Sequence, residues 1–172
     1  VIEQVQGEPA AALRSCLTLR RLTSPLLFNA CLNGALGRNG QVEFAYASLR
    51  RALENALEVD VEERLWVTTV LAELAKQRGD AQAAETHFRD ALALGRRNVY
   101  LLGAYADFLL DQNRPAEARA LLRDEQRADN LLLRLALAER RLDDPAWQRH
   151  ADILEARFAA ARERGDETHL AT

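Results

Sequence analysis

The chain has 172 residues, enough for one compact domain or one short array of repeats and too few for two ordinary domains. Alanine (31) and leucine (30) dominate while isoleucine occurs only at positions 2 and 153, a composition rich in helix formers and poor in strand formers. With 23 basic and 26 acidic residues the net charge is −3 and no half is strongly basic, which argues against nucleic acid as a partner. The uncharged apolar runs fall well short of the roughly 18 residues of a bilayer span, so membrane insertion is not expected.

Taken in chain order, the punctuation by Pro, Gly and Asn predicts helices over about 8–21, 25–37, 41–57, 60–78, 81–94, 98–111, 115–126, 129–142 and 145–164, and no strand. Pro9, Pro25, Pro115 and Pro145 each stand where a first helical turn would begin. Opening at Val1 without an initiator Met, the chain reads as a fragment, so a targeting segment could have preceded it. Past Asn130 the pattern loosens: Leu131 to Leu142 turns at Asp143-Asp144, the following helix is unusually long, and Gly165-Asp166 reads as another turn.

A fixed period organises the middle of the chain. Gly79 and Asn113 are 34 residues apart, and the residues around them correspond. Leu71 pairs with Tyr105, Ala72 with Ala106, Ala75 with Leu109, Ala84 with Ala118 and Phe88 with Leu122, whereas Ala91 meets Glu125. Gly40 anchors a further copy through Leu32, Leu36, Ala45, Leu49 and Ala52, with Asn33 in place of the small residue. Gly7 anchors half a copy through Ala12, Cys16 and Leu19. Small residues seven before and five after each turn let two amphipathic helices approach, and the bulky residue nine after plugs the space toward the next pair. Gly40 to Gly79 spans 39 residues, so about five are inserted near Leu57 to Glu63.

These residues resemble the tetratricopeptide repeat (TPR) family, of the bacterial type. The resemblance implies an all-α fold: an α-solenoid of antiparallel helical hairpins, in which each unit buries its face by stacking on the next. Mapped on the sequence, one array over 1–172 would hold a half-repeat at 1–24, repeats at about 25–58, 65–98 and 99–132, and a degenerate or capping repeat at 133–172. Function is then expected to be that of a non-catalytic scaffold that takes a peptide or helix of another protein in a concave groove. Offsets from the turns place Trp66, Thr69, Glu73 and Lys76, then Tyr100, Gly103, Asp107 and Asp111, on that surface. The two aromatics would be anchors, or would simply pack between adjacent first helices. Family members that grip a C-terminal carboxylate use Lys, Arg and Asn in the groove, and Glu73, Asp107 and Asp111 speak against that here. A sensor or regulatory segment of a larger signalling protein is the alternative role.

Catalytic or cofactor chemistry has no visible residues. His87, His150 and His169 lack partners at metal-ligand spacing, no Gly-rich phosphate loop follows a strand, and no cofactor or metal is expected. An enzyme reading would need His87 or His150 in a closed pocket with a carboxylate. Arg-Gly-Asp at 78–80 and 164–166 reads as turn chemistry, the first copy being the hairpin turn itself. Cys16 and Cys31 lie equidistant from the Thr23-Ser24 turn, which permits a disulfide if the helix faces match, while two buried free thiols would serve equally as small apolar residues. A bridge would indicate export, for instance to a periplasm, and free thiols a cytoplasmic protein.

Overall fold

The computed structural model describes residues 9–165, and the expectations that rest on Gly7, His169 and the second Arg-Gly-Asp at Asp166 lie outside them. The described residues are helical throughout, with no strand among them. The chain divides after Arg97 into two compact units.

The first unit holds α1 (Pro9–Leu19), α2 (Pro25–Arg38), α3 (Val42–Glu54), α4 (Val61–Gln77) and α5 (Ala81–Ala93). Consecutive helices pack as antiparallel pairs, and α2 also lies against α4. Caps mark the starts: Ser24 Oγ accepts from Leu27 N at 3.1 Å, Asp60 Oδ1 from Glu62 N at 2.8 Å, and Asp80 Oδ1 from Ala83 N at 2.9 Å. The Ser24 hydroxyl also donates to the Glu63 carboxylate, tying the start of α2 to α4. Of the five inserted residues, four extend α4, which has 17 residues against 13 in the equivalent α6, and one lengthens the connection before it.

The second unit holds α6 (Val99–Asp111), α7 (Pro115–Leu122), α8 (Asp129–Arg141) and α9 (Ala146–Glu163). Here α6 pairs with α7, α7 with α8 and α8 with α9, while α6 and α8 lie side by side. Helix α7 stops four residues before the expected end. Its counterpart α5 continues through Ala91, which is fully buried, but the residue at that offset after α7 is Glu125, whose carboxylate is a poor occupant of the core place that extends the helix.

One turn geometry recurs in both units. Gly40, Gly79, Asn113 and Asp143 all have positive φ (86°, 79°, 55° and 54°). The N–H of the following residue then bonds back five positions, Gln41 to Leu36 O, Asp80 to Ala75 O, Arg114 to Leu109 O and Asp144 to Glu139 O, at 2.8–3.0 Å. The periodic residues around these turns form the core. Ala72, Ala84, Ala106 and Ala118 are completely buried, as are the plugs Leu49, Phe88 and Leu122. Asn33, where the first copy departs from a small residue, is buried too: its Nδ2 donates to Asn29 O at 2.8 Å, and its Oδ1 has no hydrogen-bond partner.

Candidate functional site

The eight residues expected on a partner-binding surface fall on two helices. On α4 the structure separates them. Thr69 is fully buried, its hydroxyl donating to Leu65 O at 2.7 Å, so it presents nothing to a partner. Trp66 is half-buried against the cluster of Ala12, Cys16, Cys31 and Ala35. That cluster is closed by a Cys16–Cys31 disulfide with Cα atoms 5.6 Å apart. Glu73 lies 3.9 Å from the Arg38 guanidinium, and Lys76 is half-buried at the end of the helix. The α4 stripe thus offers less exposed surface than its spacing suggests, because α2 packs alongside it.

On α6, Tyr100 is 37% exposed, Gly103 is buried, and Asp111 is exposed at the helix end. Asp107 is engaged from α8: Arg134 Nε and Nη2 fork its two oxygens, each at 2.7 Å, and Arg134 Nη1 donates to Asn130 O. The guanidinium rests beside Gly103, where a Cβ would make ordinary contact with Arg134 Cζ at 3.7 Å. The negative charge of Asp107 is therefore already matched within the unit.

Two residues escaped the sequence reading. Leu133 and Leu137 on α8 are 46% and 43% exposed. Relative to Asp143 they occupy the offsets that Gly103 and Asp107 occupy relative to Asn113, so they belong to the same face as Tyr100 and the Arg134–Asp107 pair. Carrying the repeat offsets on to the Asp143-Asp144 turn would have found them.

Both described histidines are paired. Tyr46 OH and His87 Nε2 are 2.9 Å apart, and Arg78 lies over the Tyr46 ring at 4.4 Å while its Nε meets Glu43 at 2.8 Å. Burial holds the His87 imidazole below its usual pKa, with Asp90 opposing that shift. His150 is 2% exposed, and its Nδ1 lies 2.7 Å from Oε2 of Glu139, itself 5% exposed. The partner of His150 is 11 residues away on the facing helix, beyond the reach of a local spacing rule. A cleft between α7 and α9 opens beside the pair, lined by Arg119, Arg123, Asp144 and Arg149, and no Ser, Thr or Cys lines it. The N–H of Ala146, donating to Asp144, holds that carboxyl below the usual range, assisted by Arg119. Among the described residues no group of three or more His, Cys, Asp or Glu is placed to hold a metal, and no helix is long and apolar enough to cross a membrane.

The family model described as "Tetratricopeptide repeat" matches residues 75–130, from the end of α4 to the start of α8. No curated protein and no solved structure matches the chain.

Proposed function

We propose, from the match of residues 75–130 to the tetratricopeptide repeat family, whose repeats generally mediate protein–protein interaction, a non-catalytic scaffold that holds a peptide or helix of another protein. The contact face we favour is that of α6 and α8 in the second unit. One observation carries this: Tyr100, Leu133 and Leu137 stand exposed at the frame positions of a first-helix face, around the Arg134–Asp107 pair. Isolated exposed leucines are ordinary, whereas apolar side chains grouped around a fixed polar pair provide both contact area and orientation. Asp111 extends this face, and on α4 the first unit contributes Glu73 and Lys76 at its own surface. The family is typically non-catalytic, and no Ser, Thr or Cys lines the cleft at His150.

The test is selection of binders from a random peptide library on the immobilised chain, followed by comparison with Leu133→Glu plus Leu137→Glu. Both positions are exposed, so the double variant should keep the wild-type melting curve and lose peptide affinity by about tenfold or more. Binders that ignore the double variant would move the partner site elsewhere. The Cys16–Cys31 bond supports an oxidising compartment as the place of work, since cytosolic thiols are normally kept reduced. Thiol counting on protein isolated without reductant checks this, and two reactive thiols would reverse the assignment.

A further inference from the structure

We propose that the cleft between α7 and α9 binds an oxyanion of the sulfate or phosphate type, and that binding is coupled to protonation of His150. The cleft, of about 380 Å³, has room for a tetrahedral oxyanion with hydration water, a water taking about 30 Å³. Arg119 and Arg123 stand at one wall and Arg149 at the other, with His150 and Glu139 at the base. Guanidinium forks match the paired oxygens of such anions, and Arg119 of α7, Arg123 just past its end and Arg149 of α9 all line the cleft.

The two carboxylates that line the cleft are both paired. Asp144 Oδ2 takes Arg119 Nη1 at 2.9 Å while its Oδ1 accepts from Ala146 N, and Glu139 takes His150. Asp124 meets Arg123 Nε at 3.3 Å, but both side chains are more than three-quarters exposed, and such a pair yields readily to a bound anion. Arg149 is the pivotal group. Its Nη2 lies 3.3 Å from His150 Nε2, and Nδ1 of the same ring faces the Glu139 carboxylate. In the neutral ring Nδ1–H donates to Glu139, leaving the Nε2 lone pair to accept from Arg149. Protonation of Nε2 removes that acceptor and sets two cations against each other, so the Arg149 fork turns from the ring toward the cleft. An anion that accepts from Arg149 and from Nε2–H resolves the repulsion. Binding should therefore take up a proton, and affinity should rise as pH falls.

The probe is sodium sulfate, which does not itself titrate in this range, added to the full chain against sodium chloride of equal ionic strength. Backbone amide spectra are followed at about pH 6 and about pH 8. The expected result is saturable shifts confined to residues around 119–126 and 144–150, with sulfate bound at least about fivefold more tightly at the lower pH. Arg123→Ala plus Arg149→Ala, both at exposed positions and so compatible with the native spectrum, should abolish saturation. His150→Gln should keep sulfate binding and lose its pH dependence. If His150→Gln unfolds, proton uptake measured calorimetrically in two buffers of different ionisation enthalpy gives the same reading on wild type. Shifts no larger than those of chloride, or saturation that survives the double arginine variant, would overturn the site. Equal affinity at both pH values, or no proton uptake, would overturn the coupling.

Discussion

The α4/α5 and α8/α9 hairpins share a turn and a buried Leu-Ala pair before it, Leu71-Ala72 and Leu135-Ala136, and differ in what the second helix packs against them. In α4/α5 the helices meet through Ala72 and Ala84, with Phe88 as the plug, all fully buried. In α8/α9 the same backbone reversal, with Asp143 at positive φ and Asp144 N bonded to Glu139 O, brings a carboxylate to the place of Ala75. Helix α9 starts one residue later after its turn than α5 does, and Gln148, the counterpart of Ala84, is exposed. Burial is displaced along the helix to His150 and Leu154. The turn fixes that two helices run antiparallel, while the side chains set which residues of the second helix face the first. A buried carboxylate in the first helix is tolerated once the second slides to bring it a hydrogen-bond donor.

The sharpest way to break this comparison is to leave the carboxylate alone. His150→Leu should destabilise the fold by about 3–5 kcal/mol, because Glu139 would be buried without a partner, and adding Glu139→Leu should recover most of the loss. Denaturant titration of the two variants decides it, and a His150→Leu protein within about 1 kcal/mol of wild type would mean that the pair is not what fills this seam. A second contrast exchanges matching positions: Ala84→Leu should cost about 1–3 kcal/mol by overpacking. Gln148→Leu, its counterpart on an exposed face, should change the same measurement by less than about 0.5 kcal/mol.

Asn33 is a milder departure of the same kind, a polar residue in the small-residue place with one buried oxygen unpaired. Asn33→Ala should raise stability by about 1 kcal/mol, read as a higher unfolding midpoint. The smallest effect belongs to His87. Burial lowers its folded pKa below the unfolded value near 6.5, so its stabilising contribution is present above about pH 6.5 and is lost as pH falls and the unfolded chain takes up the proton first. Unfolding midpoints at about pH 7.5 and about pH 5.5 should therefore diverge slightly more for wild type than for His87→Gln.

Helices were legible wherever the 34-residue period held, because buried alanines at fixed offsets are a consequence of close packing and appear directly as letters. Ala72, Ala106 and Phe88 needed no structure to be placed. Thr69 was misplaced for the opposite reason: an offset names a side of the helix, but how much of that side a neighbouring helix covers depends on packing that the single repeat does not encode. The Arg134–Asp107 fork shows the same limit, since it joins residues 27 apart and neutralises a charge that looked available. Glu139 and His150 were illegible because the frame was not carried past Asn130. The signal was present, an acidic residue four before a turn where the other copies have Leu36, Ala75 and Leu109.

The Cys16–Cys31 bond also changes what it means to cut this chain. Arg20 and Arg21 lie exposed in the turn between the two cysteines, where a trypsin-like protease finds both its side chain and an accessible backbone. A nick there divides the polypeptide but leaves both pieces on one molecule, because the bond joins α1 to α2 across the cut. Helix α1 can then unwind and rewind at its post without diffusing away, so a nicked sample should run as one species until a reductant releases the piece that carries α1.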